Sequence, residues 1–596
     1  MISNHLVAML RDRVRRSSER TALVSVGSGP PAEWPRLSWA ALGEQVDAVA
    51  RALVELGVPE LARVGIWSAN CREWTVADFG ILAARATPVP IYATSTGAQA
   101  GYLLDEAEIE VLFVGGQAQY DRAVALGGAR TLVAFDPAVR FAAGPRSLHF
   151  DALVELGRAS TRAAEVEARL ERATPEDLAT LIYTSGTTGE PRGVMLTHAN
   201  FGACFAAHDA RLPATGESDR SLCFLPLAHV FERTWTYYVV YRGMTNYYLS
   251  EPAKVLAAMA AVRPTIQCAV PRFYEKVHAG VERKLAAASP ARRRLFRWAV
   301  ATGARVAERQ RQGRAVPPTL GLRHALADAL VLKKLRALTG GCVRFFPCAG
   351  APISRDLEEF FDAVGLRIAH GYGLTETTAT VSVQEFDRYV PGTVGRALPG
   401  IEVRLGAEGE ILVRGATVMK GYFRKPAATA AAFVDGWLKT GDAGAFDAGG
   451  NLVITDRLKD LIKTSGGKYV APQQIEAQVG GDGLIAQVAV LGDLRKFVAA
   501  LIVPAFEALE EWARSVGVAV RSRAELISDP RVVALYQERV DQHNRALAPW
   551  EQIKKFRLLA RELTVEDGEI TPTQKVRRQR LAEEYAGLVD AMYAEA

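Results

Sequence analysis

Apolar residues recur at helical spacing along 37–57. Leu42, Val46, Val49, Leu53 and Leu56 stand three or four apart, Ser38 occupies an N-cap position and Gly57 ends the run. One amphipathic helix is predicted there. The period then changes: 64–67, 87–92 and 110–114 are short apolar runs that read as strands, with helical stretches at 74–84 and 98–107 between them. Apolar strands alternating with helices predict a parallel sheet covered on both faces, an α/β arrangement. Further along, 181–183, 221–225, 343–348 and 367–371 each read as a buried strand that opens into a loop. Residues 409–415 and 436–447 read as strands with tight turns, and 505–545 as mostly helical. With 596 residues the chain exceeds one ordinary core, so at least two domains are expected.

Charge changes this picture in one place. The net charge is +6, but residues 283–336 hold fourteen Lys/Arg against two Asp/Glu, which leaves the remainder acidic. There Leu295, Phe296, Trp298 and Val300 accompany Arg292, Arg293, Arg294 and Arg297, a basic and partly aromatic helical segment that suits an anionic membrane surface. The alternative is a solvated basic helix with its apolar side packed on the domain. No recognition motif for nucleic acid accompanies the charge. The start of the chain reaches Arg11 and Asp12 before any signal-peptide core forms, and no run of eighteen apolar residues lacks charges, so a cytoplasmic protein is expected. Six cysteines without a CxxC pair indicate neither a disulfide framework nor a zinc site.

The chemistry centres on 181–198, LIYTSGTTGEPRGVMLTH. Thr184, Ser185, Gly186, Thr187, Thr188 and Gly189 put four hydroxyls and two glycines in six positions, followed by Arg192. Glycines open backbone amides to an anion, hydroxyls donate, and a guanidinium adds charge, so a polyphosphate fits. A plain Ser/Thr/Gly turn between two strands has the same composition. The spacing is not that of a Walker loop.

The spelling TSGTTGEPRG resembles the phosphate-loop signature of the adenylate-forming enzymes, the superfamily that includes acyl-CoA synthetases, firefly luciferase and peptide-synthetase adenylation domains. Arg192 replaces the usual Lys and keeps its charge. Other segments carry the same resemblance. RIAHGYGLTETT (367–378) offers Tyr372 as a face for adenine, Gly373 at the nucleotide, Thr375 at the α-phosphate, and Glu376 as a Mg²⁺ ligand, with Thr184 assisting. Gly350, Ala351 and Pro352 stand in the loop that contacts adenine in the family. Asp442 resembles its ribose-binding aspartate, Arg457 falls at the ribose or phosphates, and Lys459 marks the hinge. LPLAHVFER and TIQCAVPRFYEK are most similar to long-chain fatty acyl-CoA synthetases, which implies an acyl pocket near His229 and, by position, Arg233. Ser465, Gly466, Gly467 and Lys468 are implied at the CoA channel, and Lys575, in TPTQKVRR, as the adenylation lysine.

The resemblance covers nearly the whole chain and implies a large N-terminal domain of doubly wound mixed sheets, 1–457, with a basic insertion near 283–336. A smaller, mobile α+β domain, 458–596, would carry Lys575. It implies ATP-dependent conversion of a fatty acid to an acyl-adenylate, then to a CoA thioester, with Mg²⁺, ATP and CoA required. The alternatives are a fatty acyl-AMP ligase serving a carrier protein, a CoA ligase for aryl or terpenoid acids, and a nucleotide-binding scaffold without catalysis.

Overall fold

Ser38 caps the first long helix as its spacing requires: its Oγ accepts from Ala41 N at 3.1 Å, and the helix runs Trp39–Glu55. The computed structural model describes residues 5–594 except 129, 186–189, 459, 466–467, 519–521 and 572–574. Strand Arg63–Ser68 lies between Thr87–Tyr92 and Val111–Val114, and Thr131–Ala134 and Ser147–His149 extend the sheet; every pairing is parallel. Val46, Val49 and Leu53 of the capped helix are buried with Ile66, Phe79 and Phe113. The predicted alternation of strands and helices is therefore present.

Two further mixed sheets lie in the N-terminal part. One joins Thr21–Ser25, Arg36–Ser38, Arg220–Cys223 and Thr245–Tyr248. The other joins Phe346–Cys348, Ile368–Tyr372, Ser382–Val383 and Arg396–Ala397. An antiparallel sheet then pairs Trp437–Phe446 with Glu410–Gly415 on one side and Leu452–Arg457 on another. In the C-terminal part, Val498–Pro504 lies between Ile485–Leu491 and Ile553–Leu558, covered by Pro472–Val479, Phe506–Ser515 and Pro530–Asn544. The chain is thus a mixed α/β protein with a large N-terminal and a smaller C-terminal domain. The N-terminal apolar clusters draw on residues from Leu6 to Ile454 and the C-terminal ones on residues from Ile462 to Tyr593, with none shared.

Helix Val230–Arg242 is one of several with no counterpart in the sequence reading. It is buried on nearly every side, so VFERTWTYYVVYR shows no amphipathic period. In the basic segment, helix Pro290–Arg311 packs Ala299, Gly303, Val306 and Ala307 inward, with Gly303 so close to Ala363 O that a Cβ would come within 2.1 Å. Leu322, Leu326 and Leu330 remain outside at 76, 54 and 41 % exposure. Among the described residues no helix is long and apolar enough to cross a membrane.

Candidate active site

Two antiparallel strands flank the glycine-threonine stretch. Leu178–Ser185 pairs with Pro191–Thr197, setting Thr184 opposite Arg192 and Ser185 opposite Pro191. Gly186, Thr187, Thr188 and Gly189 lie outside the described residues. The stem is held from the side: Lys425 Nζ donates to Tyr102 Oη at 3.0 Å and to Glu190 Oε2 at 3.3 Å, and Tyr102 Oη donates to Pro191 O at 3.4 Å. Arg192 lies over the Tyr422 ring, 5.4 Å from its centre.

Strand Ile368–Tyr372 leads into the short helical turn Thr375–Thr377 that carries Glu376. Gly373 is required there, because a Cβ would stand 2.0 Å from Ala379 O. Thr375 is buried, while Glu376 accepts from Tyr422 Oη at 2.9 Å through Oε1 and from Met419 N at 2.8 Å through its carbonyl. Tyr372, at the strand end, donates its hydroxyl to Asp442 Oδ2 at 2.6 Å. Asp442 faces Arg457 across the antiparallel sheet, with Arg457 Nε 3.2 Å from its Oδ1. Burial and the Asp442 carboxylate hold the Tyr372 hydroxyl well above its ordinary pKa. Burial opposes the charge on Arg457, but Asp442, Asp460, Tyr372 and Glu376 outweigh it and raise its pKa.

The loop with Gly350, Ala351 and Pro352 follows strand Phe346–Cys348, and Gly350 turns it at φ +96°. Beneath it, His370 hydrogen bonds to the Ala351 backbone, and its Nδ1 lies 3.7 Å from Glu358 Oε1. Burial lowers His370 to about 4 and pushes Glu358 up to about 8, so this pair is neutral at pH 7. It supports the loop without adding charge.

Lys575 comes from the C-terminal domain to the same place. Its ammonium feels Arg457, Asp442, Asp460 and Glu376, and burial followed by Arg457 lowers it to about 8. His229 senses Lys575 in turn; burial first and that cation second lower it to about 4. Lys575 and Thr571 bond to each other: Thr571 N donates to Lys575 O at 2.8 Å and Lys575 N to Thr571 Oγ1 at 3.1 Å. In the same segment, buried Glu569 accepts both Arg561 Nη groups at 2.8 Å, Tyr585 Oη at 2.8 Å and Thr564 N at 2.9 Å.

His229 caps helix Val230–Arg242, its Nδ1 accepting from Phe231 N at 3.2 Å. Asn70 steadies the preceding loop by accepting from Leu227 N at 3.0 Å and donating to Leu225 O at 2.7 Å. Arg233, implied by position at the acyl pocket, has a side chain 1 % exposed, ion-paired with Asp78, hydrogen-bonded to Tyr237 Oη and stacked over Trp74, with its Nη1 left without a hydrogen-bond partner among the described residues.

Lys459 and the Gly466–Gly467 pair lie outside the described residues. Beside the former, Asp456 accepts from Arg457 N at 2.6 Å and from Gln473 N at 3.2 Å, which links the two domains. Beside the latter, Ser465 N donates to Arg495 O at 2.8 Å and Lys468 Nζ lies 5.2 Å from the Trp550 ring centre. These partners all belong to the C-terminal domain.

The site therefore gathers Arg192, Arg457 and Lys575 as cations and Glu376 and Asp442 as carboxylates. Among the described residues, no three His, Cys, Asp or Glu side chains cluster as a metal cage. A single carboxylate with one oxygen already hydrogen-bonded suits Mg²⁺, which takes most of its ligands from phosphate and water. Sequence reasoning missed Tyr422, Tyr102, Lys425, Asn70 and Glu569. MKGYFRK (419–425) was the available signal, an aromatic set among cations in a short segment.

The comparisons agree with this geometry. Residues 10–423 match the family described as AMP-binding enzyme, and 459–596 match the AMP-binding enzyme C-terminal domain. The long-chain-fatty-acid–CoA ligase FadD15 of Mycobacterium tuberculosis is 40% identical over 94% of this chain and 92% of its own. The peroxisomal long chain acyl-CoA synthetase 6 of Arabidopsis thaliana is 30% identical over 95% of this chain and 83% of its own. Among solved structures, the adenylation domain of a carboxylate reductase from Mycobacterium chelonae superposes with a TM-score of 0.79 at 22% identity, covering 99% of this chain and 91% of its own.

Proposed function

Because the chain belongs to the AMP-binding enzyme family, we propose that it is a long-chain fatty acid–CoA ligase, the activity named for its 40%-identical relative. The observation that carries the reading is the arrival of Lys575 beside Asp442, Arg457 and Glu376. In the first half-reaction a carboxylate oxygen of the fatty acid attacks the α-phosphorus of ATP, and the bond to pyrophosphate breaks. Lys575 lies between the two anions, carboxylate and α-phosphate, and lowers their repulsion. Arg192 and the 184–189 stretch steady the departing pyrophosphate, and Asp442 accepts from the ribose hydroxyls. Mg²⁺, held by Glu376 with help from Thr184, would neutralise phosphate charge. In the second half-reaction the CoA sulfur attacks the acyl carbonyl and AMP leaves with the bonding pair.

Residues 1–457 act as the fixed body and 458–596 as a lid turning near Lys459. In this reading the turn withdraws Lys575 and brings 465–468 to the acyl-adenylate. Measuring pyrophosphate release with a range of fatty and aromatic acids, with and without CoA, tests the assignment. Long-chain acids should release pyrophosphate and, with CoA, yield thioester and AMP. Adenylate formation without thioester would instead mark an acyl-AMP ligase that serves a carrier.

The protein also meets an anionic membrane from the cytoplasmic side through 283–336. Its net positive charge supports this, as does the stripe of Leu322, Leu326 and Leu330, four residues apart on one exposed face. An open notch of ≈ 700 Å³ lined by Arg293, Arg294 and Arg297 adds room for a headgroup. Flotation with vesicles containing phosphatidylglycerol, compared with phosphatidylcholine alone, tests it. Replacing the three leucines with serine should reduce binding to the anionic vesicles, and unchanged binding would count against the stripe.

A further inference from the structure

Tyr422 stands between the oppositely charged ends of the candidate triphosphate site. Its hydroxyl donates to Glu376 Oε1 at 2.9 Å, while the Arg192 guanidinium lies over its ring at 5.4 Å. The backbone fixes it there. Strand Gly421–Tyr422 pairs with Val194 and Met195 of the phosphate-loop stem, Phe423 N donates to Gly193 O at 2.8 Å and Lys420 N to Met195 O at 3.0 Å. From the other side Met419 N holds the Glu376 carbonyl, and Tyr422 N donates to Thr429 Oγ1 at 2.9 Å. Gly421, at φ +139°, lets the strand meet helix Pro426–Ala432, since a Cβ would lie 2.8 Å from Thr429 Cγ2.

A guanidinium and a carboxylate serving one polyphosphate face a shared hazard. Left free, they form a bidentate pair, and both are lost to the substrate. Here the aromatic ring offers Arg192 a face to rest on, and the phenol occupies one oxygen of Glu376 and leaves the other for a ligand. Arg192 is found over the ring and Glu376 Oε1 on the hydroxyl of this one tyrosine.

We propose that Tyr422 is a positioning residue for Mg·ATP, one that aims the Glu376 carboxylate and keeps it apart from Arg192. The proposal rests on the reading of this pocket as a Mg·ATP site. Its test is ATP binding by calorimetry without fatty acid or CoA, so that no turnover occurs, in excess Mg²⁺ and separately in EDTA.

Tyr422→Phe keeps the ring under Arg192 and removes the hydroxyl, which bonds to Glu376 and also to the Arg192 side chain. It should weaken ATP binding about ten-fold in Mg²⁺, the scale of a hydrogen bond to a charged group, and weaken it less in EDTA. Tyr422→Leu removes both contacts and should weaken binding in both conditions. Unchanged affinity of Tyr422→Phe in Mg²⁺, or equal losses in Mg²⁺ and EDTA, would overturn the proposal. Wild-type protein that binds no ATP would overturn the pocket reading itself, and the role of Tyr422 with it. Thermal unfolding of the Phe variant near the wild-type midpoint shows that the fold is kept.

Discussion

The lowered pKa of Lys575 can be tested through the pH dependence of the first half-reaction. Burial first and Arg457 second bring its ammonium to about 8, whereas a solvated lysine titrates near 10.5. Desolvation and a neighbouring cation both disfavour the charged form, and Asp442, Asp460 and Glu376 offset them only in part. The sign follows. The docked lid binds this proton less tightly than a free lid, so docking releases it between about pH 8 and 10.5 and carries its full electrostatic cost below about pH 8.

If only the ammonium bridges carboxylate and phosphate, kcat/KM for acid-dependent pyrophosphate exchange should fall about ten-fold per pH unit above pH 8, since kcat/KM reports the free enzyme. The limb in kcat should lie higher, because the two bound anions stabilise the charge. Lys575→Arg, charged throughout, should lack the alkaline limb. Lys575→Ala should lose on the order of 10²–10³ in exchange, the scale for removing one positioned donor to developing charge, yet still convert supplied acyl-adenylate to thioester. An alkaline limb that persists in Lys575→Arg, or equal loss of both half-reactions in Lys575→Ala, would refute the reasoning.

Three further outcomes follow from buried polar groups. Asp442→Asn removes the partner of both Arg457 and Tyr372, so KM for ATP should rise about ten- to a hundred-fold, the scale of a charged hydrogen bond, with kcat less affected; a KM within two-fold of wild type would discount the ribose role. Arg233→Met leaves Asp78 buried without its cation and should destabilise the large domain by about 3–5 kcal/mol in denaturant unfolding, with acyl chain-length preference unchanged. A changed preference at unchanged stability would instead place Arg233 at the pocket. Glu569→Gln weakens the anchoring of the segment that carries Lys575. Burial opposes the Glu569 charge, but Arg561, Thr564 and Tyr585 hold its carboxyl below the ordinary range, so the stability it lends is present above about pH 4.5 and lost as pH falls through its lower folded value. Faster hydrogen exchange across 561–585 in this variant at pH 7, together with slower adenylation, is the expected result; exchange rates equal to wild type would count against it.

The parallel sheet was legible because its strands are covered on both faces. Arg63–Ser68, Thr87–Tyr92 and Val111–Val114 appear in the sequence as continuous apolar runs, and Ser38 announces the helix that covers them. Helix Val230–Arg242 was not legible for the same physical reason carried further: burial on nearly every side erases the period. In the candidate site, Glu376 and Asp442 were singled out through family spelling alone, since one carboxylate in a turn looks like any surface carboxylate. The ion pair of Arg233 was not legible, because its partner Asp78 lies 155 residues away and nothing local shows that the two meet inside the core. Tyr422 escaped notice likewise, with Glu376 46 residues upstream and Arg192 on another strand.

The bonds around the 457–459 joint divide in a way that suits two successive reactions. Arg457 is the last residue of a strand in the N-terminal sheet, paired opposite Asp442, and Leu458 N still bonds to Gly441 O at 2.9 Å. A turn after this point leaves the Tyr372–Asp442–Arg457 row intact, so a nucleotide bound to it need not be released. Lys575 belongs to the other side: Arg578, three residues on, is ion-paired with Glu476 of the C-terminal helix Pro472–Val479 and travels with it. The bonds that such a turn must break include Asp456 to Gln473 N and Gln474 Nε2 to Ile454 O, both at 3.2 Å. Each is worth about 1 kcal/mol net, a barrier that binding and release of pyrophosphate and CoA can supply. On the proposed reading, the ribose and phosphate contacts would stay with the N-terminal sheet while Lys575 moves with the C-terminal domain, so that one bound adenylate would meet two sets of side chains in turn.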